Sequence, residues 1–104
     1  MSALDLGAAT VELFAPHVGE VFAVRPDGQP ELRLELTLTD ASTLPDATSA
    51  DGRAPFALTF SGPPEQVLTQ QIVPLEHARL GRLEIFLVPL ALDAGGARYE
   101  AVFS

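Results

Sequence analysis

The chain has 104 residues and a formal net charge of −8, from 14 acidic and 6 basic residues. It contains no cysteine, which excludes disulfide bonds and thiolate chemistry. A chain this acidic cannot gain the counterion-release free energy on which nucleic-acid binding depends, so we expect no nucleic-acid partner. The length and composition predict a single domain over residues 1–104.

The N-terminal segment carries Asp5 and has neither the basic residues nor the continuous apolar stretch of a signal peptide. No apolar run approaches the roughly 20 residues that a membrane-spanning helix needs. We therefore expect a cytoplasmic protein without membrane association.

The first predicted element is a short helix. Thr10 can act as its N-cap, and Pro16 and Gly19 end it after one or two turns. Residues 20–25 then alternate in polarity, with Phe22 and Val24 on one face, which is typical of a strand.

The clearest strand pattern covers residues 31–39, where leucine occupies every second position and polar residues fill the others. Such strict alternation predicts a strand with one buried face. Residues 40–55 form a long polar connection. We interpret it as a surface loop, although a loop of this length can also be a binding loop that orders on a partner.

Alternation returns in residues 56–60, 82–88 and 98–103, which we predict to be strands. Residues 69–76 form a weaker candidate because Pro74 has no N–H to donate to a ladder hydrogen bond. We expect that strand to lie at a sheet edge or to carry a bulge.

About six strands, with turn residues between them and no crossover helices, predict an all-β domain. The architecture is a small antiparallel barrel or sandwich with a short N-terminal helix. A small, partly open barrel is favoured because a barrel hides its strand edges, and the helix would then plug or flank one of its ends.

The sequence offers no recognisable catalytic or metal site. His17 and His77 lie about 60 residues apart, and neither has a second ligand at helical spacing. No serine has the flanking glycines of a nucleophile elbow. We therefore expect no catalytic residues, no metal and no cofactor. An enzyme would need His17 or His77 hydrogen-bonded to a carboxylate in a cleft.

Both faces of the strand over residues 82–88 are apolar. Phe86 and Val88 lie opposite the residues that face the core, so the outer side of this strand needs a cover. The helix that carries Phe14 could provide it, or a partner subunit could. We predict a candidate interaction surface at Phe14, Phe86 and Val88.

Four short segments, FAPHVG, LEHARLG, FLVP and YEAVF, resemble a family of short bacterial proteins that has no assigned function. The resemblance spans most of the chain and is best in its second half. It implies a small single-domain protein. It also implies, through an association with phage-tail-collar-like gene clusters, an accessory role in a tail-like system. No functional residues come with it.

We therefore expect a non-enzymatic structural or interaction module, such as an accessory or assembly protein of a phage-tail-like system. Its partner would be another protein or a second copy of the chain. The alternative is a small-ligand-binding β-barrel protein that uses the interior or mouth of the barrel.

Overall fold

A computed structural model of the chain describes residues 10–25, 34–43, 55–65, 67–93 and 96–103. A short helix, α1 (Val11–Phe14), continues into a 3-10 turn (Ala15–His17), and together they form the capping segment. Six strands follow: β1 (Val21–Val24), β2 (Leu34–Thr43), β3 (Phe56–Gly62), β4 (Gln71–His77), β5 (Gly81–Asp93) and β6 (Gly96–Phe103). Within the described ranges, no helix has the length and apolar character needed to cross a membrane.

The six strands form a closed antiparallel barrel in the ring order β1-β2-β3-β6-β5-β4. Strands β1 to β3 make one meander and β4 to β6 a second, and the two meanders meet along two seams. The β3·β6 seam is long and runs from Phe56↔Phe103 to Gly62↔Ala97. Among the described residues, the β1·β4 seam has only two register pairs, Ala23↔Glu76 and Val24↔Leu75. The prediction of an all-β barrel with a short N-terminal helix is confirmed.

The core lies inside the barrel and follows the alternation of the sequence. On β2 the leucines at 34, 36 and 38 are buried, whereas Glu35 is exposed. On β5 the residues at 83, 85 and 87 are buried, whereas Glu84 is exposed. Because side chains point alternately to the two faces of a strand, each strand gives one face to the core and one to the outer surface.

The described chain covers both ends of the barrel. At one end Phe14 is fully buried, with its ring centroid 5.9 Å from that of Phe56 and 5.8 Å from that of Phe103. At the other end Leu68, which lies between β3 and β4 in the chain, packs against the core. There the Leu68 backbone N–H donates a hydrogen bond of 2.9 Å to the Tyr99 hydroxyl.

The long polar connection begins later than the sequence suggested. Residues 40–43 belong to β2, which passes a register shift between Leu38 and Asp40 and then pairs with β3 as far as Thr43↔Phe56. The bulge lets a polar segment continue the ladder without burying its side chains. The rest of the predicted loop, residues 44–54, lies outside the described residues.

The expectation that Pro74 marks an edge or a bulge was wrong, because β4 has a neighbour on each side and pairs with β5 without a register shift. The Arg25 N–H donates a hydrogen bond of 2.9 Å to the Pro74 carbonyl oxygen. The N–H and C=O of one strand residue point to the same neighbour. The donor that proline lacks therefore faces β1, at the end of the short seam, where it removes only one ladder bond.

Candidate functional site

The structure places the three predicted surface residues in two different environments. Phe14 plugs the end of the barrel and is fully buried, so its place in an interaction surface was wrong. The capping segment also does not cover β5, because its apolar side chain enters the barrel mouth instead. Phe86 is 49% exposed and Val88 is partly buried, both on the outer side of β5.

Phe86 belongs to a larger apolar surface. Its direct cross-strand partner on β4 is Ile72, which is 64% exposed. On the other side Val88 pairs with Glu100 of β6, and Val102, which is 56% exposed, lies two residues further along β6. We name Ile72, Phe86, Val88 and Val102 the outer apolar face.

Charged side chains border the outer apolar face on β5 and β6. Glu84 precedes Phe86 by two residues on β5, and its carboxylate lies 3.6 Å from the guanidinium of Arg82. Glu100 lies beside Val88 on β6. An apolar centre with a charged rim is the usual anatomy of a protein–protein interface.

A second feature, which the sequence analysis missed, joins His17, Glu20 and His77. His17 ends the capping segment, Glu20 immediately precedes β1, and His77 is the last residue of β4. The Oε1 atom of Glu20 lies 2.8 Å from Nδ1 of His17 and 2.7 Å from Nε2 of His77. We call these three residues the His–Glu cluster.

Two signals in the sequence point to the His–Glu cluster in retrospect. His17 and Glu20 are three residues apart on either side of a tight turn at Gly19, which has a φ of 95°. His77 has the same parity as the buried residues Val73 and Leu75 of β4, so its side chain points inward at the barrel mouth. The pairing of β1 with β4 could not be predicted from the sequence.

The cluster is buried on its histidine side and open on its carboxylate side. The side chain of His77 is 3% exposed and that of His17 is 13% exposed, whereas that of Glu20 is 47% exposed. The ring of His77 also packs against the ring of Phe22, with centroids 4.5 Å apart. Hydrogen bonds from His17 and then His77 hold the pKa of Glu20 below its usual value, because both favour the charged carboxylate.

The surroundings of His77 fix which ring nitrogen carries the proton. The backbone N–H groups of Arg79 and Leu80 donate hydrogen bonds of 3.1 and 3.2 Å to Nδ1. Nδ1 must therefore be the unprotonated acceptor, and Nε2 carries the proton that is donated to Glu20. A proton on Nδ1 would face two N–H groups, so the geometry favours the Nε2–H tautomer of His77.

This tautomer argues against a metal site, although the ligand atoms of the three residues lie within 4.8 Å of one another. Two histidines and a carboxylate are a common ligand set for zinc and iron. A histidine that binds a metal through one nitrogen normally donates the N–H of the other. In His77 the other nitrogen accepts two hydrogen bonds, so coordination through Nε2 would lose both.

The same hydrogen bonds limit what the cluster can do in catalysis. A surface cavity of about 310 Å³ lies beside it, lined by Glu76, His77, Gly81 and Arg82. Both ring nitrogens of His77 already make hydrogen bonds within the protein, so neither is directed at a molecule in this cavity. The structure brings both histidines to a carboxylate, as an enzyme would require. The prediction of a non-enzymatic protein stays a prediction.

Comparison with known proteins identifies the family but no activity. No curated protein and no solved structure matches the chain. Residues 9–103, which include the capping segment and all six strands, match a family described as a domain of unknown function, DUF6916. The chain belongs to the DUF6916 family.

Proposed function

We propose that this protein is a non-enzymatic interaction module that binds another protein through the outer apolar face. The observation that carries the proposal is the direct pairing of Ile72 with Phe86 on the outer side of the barrel, where their side chains are 64% and 49% exposed. Exposed apolar side chains that adjoin one another across strands favour a binding surface, whereas single ones are ordinary.

The core does not account for these side chains. Phe86 lies between Ile85 and Leu87, and these two buried residues are the ones that β5 contributes to the core at this point. Replacing an outward phenylalanine with a polar residue would cost the barrel little, since its ring is half in water. An aromatic ring at the centre of such a surface is the residue type that most often dominates binding free energy.

The resemblance noted above supplies the biological context of the proposal. In that context the partner is a component of a phage-tail-like particle, and this protein is its accessory or assembly factor. Tail assembly depends on contacts between proteins. A small barrel with one exposed apolar face is suited to make such contacts.

The alternative of a small-ligand-binding barrel has less support. Aromatic and leucine side chains, among them Phe22, Phe60 and Tyr99, are fully buried in the interior. A barrel of six strands is narrower than the eight-stranded barrels that enclose ligands. A ligand would have to use a surface cavity instead.

Site-specific photo-crosslinking in the native cells tests the proposal. A photoreactive amino acid placed at Phe86 or Ile72 should give the same discrete adduct, and adding Ile72→Asp to the Phe86 probe should abolish it. The matched control is Val21, a strand residue that is 46% exposed and lies outside the outer apolar face. Equal adducts from Val21, or none from Phe86 and Ile72, would overturn the proposal.

The identity of the adduct tests the context separately. A structural protein of a tail-like particle supports the accessory role, whereas an unrelated protein leaves an interaction module and removes the tail context. Light scattering of the wild type and of Phe86→Asp tests the remaining possible partner, which is a second copy of the chain. A wild-type dimer that becomes a monomer in the variant identifies a second copy of the chain as the occupant.

A further inference from the structure

We propose that Glu20 is an acid-sensitive clasp that holds the β1·β4 seam closed, and that its protonation opens this seam before the rest of the barrel unfolds. The proposal is independent of the outer apolar face and assigns a role to the His–Glu cluster.

The β1·β4 seam is the weak closure of the barrel. It has two register pairs, against an unbroken run from Phe56↔Phe103 to Gly62↔Ala97 in the β3·β6 seam. The next pair along the short seam is Arg25 with Pro74, which makes one hydrogen bond because proline has no N–H. The two meanders are therefore least firmly joined here.

Among the described residues, the rings of Phe22 and His77 pack across this seam, and two polar side-chain contacts support it from outside the ladder. Arg25 and Glu76 approach to 3.6 Å with both side chains about half exposed, and such a surface ion pair contributes little. The other contact is the bond from Nε2–H of His77 to Glu20, which is 2.7 Å long and has an ionised acceptor. Charge-assisted hydrogen bonds of this length are about twice as strong as neutral ones.

Glu20 joins three parts of the molecule. Its carboxylate accepts hydrogen bonds from His17 of the capping segment and from His77 of β4. Its backbone carbonyl oxygen accepts a hydrogen bond from the Leu38 N–H of β2, at 3.0 Å. Losing the carboxylate charge therefore weakens the cap and the seam together, while the β1·β2 ladder stays intact.

Among the described residues, His17 and His77 are the groups that shift the pKa of this carboxylate. From the elements packed against Glu20, the titratable side chains that face it are His17 and His77, and β2 meets it through backbone atoms. The other ring nitrogen of His77, Nδ1, accepts hydrogen bonds from two backbone N–H groups and does not contact Glu20. The switch therefore lies in Glu20 itself.

Amide hydrogen exchange measured by NMR on the full chain tests the proposal. The reporter is the Arg25 N–H, which donates across the seam to Pro74. Amides in the β3·β6 seam serve as the reference. After correction for intrinsic exchange, the protection of Arg25 relative to the reference should fall severalfold as the pH falls from 7 to below 4. A constant ratio would overturn the proposal without the use of any variant.

Two variants separate the clasp from general acid destabilisation. Glu20→Gln keeps a neutral acceptor, so Arg25 should be less protected at pH 7 and its relative protection should no longer depend on pH. Glu12→Gln changes the same charge on an exposed residue of α1 and should behave as the wild type. If Glu20→Gln retains the wild-type pH dependence, another group is responsible. A ¹⁵N spectrum should also show the Nε2–H tautomer of His77, and the opposite tautomer would contradict the geometry.

Discussion

The carboxylate of Glu20 lies 2.7 Å from Nε2 of His77, a residue 57 positions further along the chain. The contact joins the residue before β1 to the last residue of β4, where the barrel has its shortest ladder. It therefore links the closure of the barrel to the ionisation of one carboxyl group.

The first prediction concerns stability against pH. The pKa of Glu20 is lowered from a usual value of 4.5 by its bonds to the two histidines, so the unfolded chain binds a proton there more readily than the folded one. The contribution is fully present above pH 4.5 and is lost as the pH falls through the lower folded pKa. In urea unfolding, the wild type should exceed Glu20→Gln in stability at pH 7, and the difference should shrink below pH 4.5. A difference that stays constant down to pH 2.5 would contradict it.

The second prediction compares two phenylalanines. Phe14 is fully buried between Phe56 and Phe103, so Phe14→Ala leaves a cavity at the barrel end and should lower the free energy of unfolding by about 3–5 kcal/mol. Phe86→Ala removes the same atoms from a half-exposed site and should cost less than about 1 kcal/mol. If chemical denaturation gave equal losses of unfolding free energy for the two variants, the burial assigned to one of these rings would be wrong.

The third prediction compares two glycines with positive φ. Gly96 has a φ of 125°, and a Cβ built on it would lie 2.5 Å from the carbonyl oxygen of Gly62. Gly96→Ala therefore adds a backbone collision to conformational strain and should cost about 2–3 kcal/mol. Gly19 has a φ of 95° with open space around it, so Gly19→Ala should cost only about 1 kcal/mol of strain. Thermal or urea unfolding of the two variants measures which one loses more stability. A larger loss in Gly19→Ala than in Gly96→Ala would refute the close approach of Gly96 to Gly62.

The fourth prediction concerns zinc. Because Nδ1 of His77 accepts two backbone hydrogen bonds, we expect micromolar Zn²⁺ to leave the melting temperature of the wild type unchanged. His77→Gln serves as the matched control. A rise in the wild type that disappears in both His77→Gln and His17→Gln would establish a metal site and overturn the assigned tautomer.

The sequence predicted the parts of the fold that depend on near neighbours. The leucines of β2 and the inward residues of β5 follow a period of two, and that period is a property of the strand itself. The outward position of Phe86 followed from the same alternation. No knowledge of how the strands close was needed for any of these.

The errors concern features set by closure. An apolar helix residue such as Phe14 can cover the outside of a sheet or enter the end of a barrel, and only the closed ring decides between them. Likewise, Glu20 and His77 meet because β1 pairs with β4 in one register. His17 and His77 therefore looked isolated in the sequence although Glu20 connects them.

Closure of the ring also limits how a partner can recognise this molecule. Among the described residues, every strand has a neighbour on each side along part of its length, so no strand offers a complete free edge for an incoming strand to extend the sheet. The proposed recognition therefore depends mainly on outward side chains. Those side chains alternate with the ones that fill the interior, so single substitutions can alter binding specificity while the packing of the barrel stays intact.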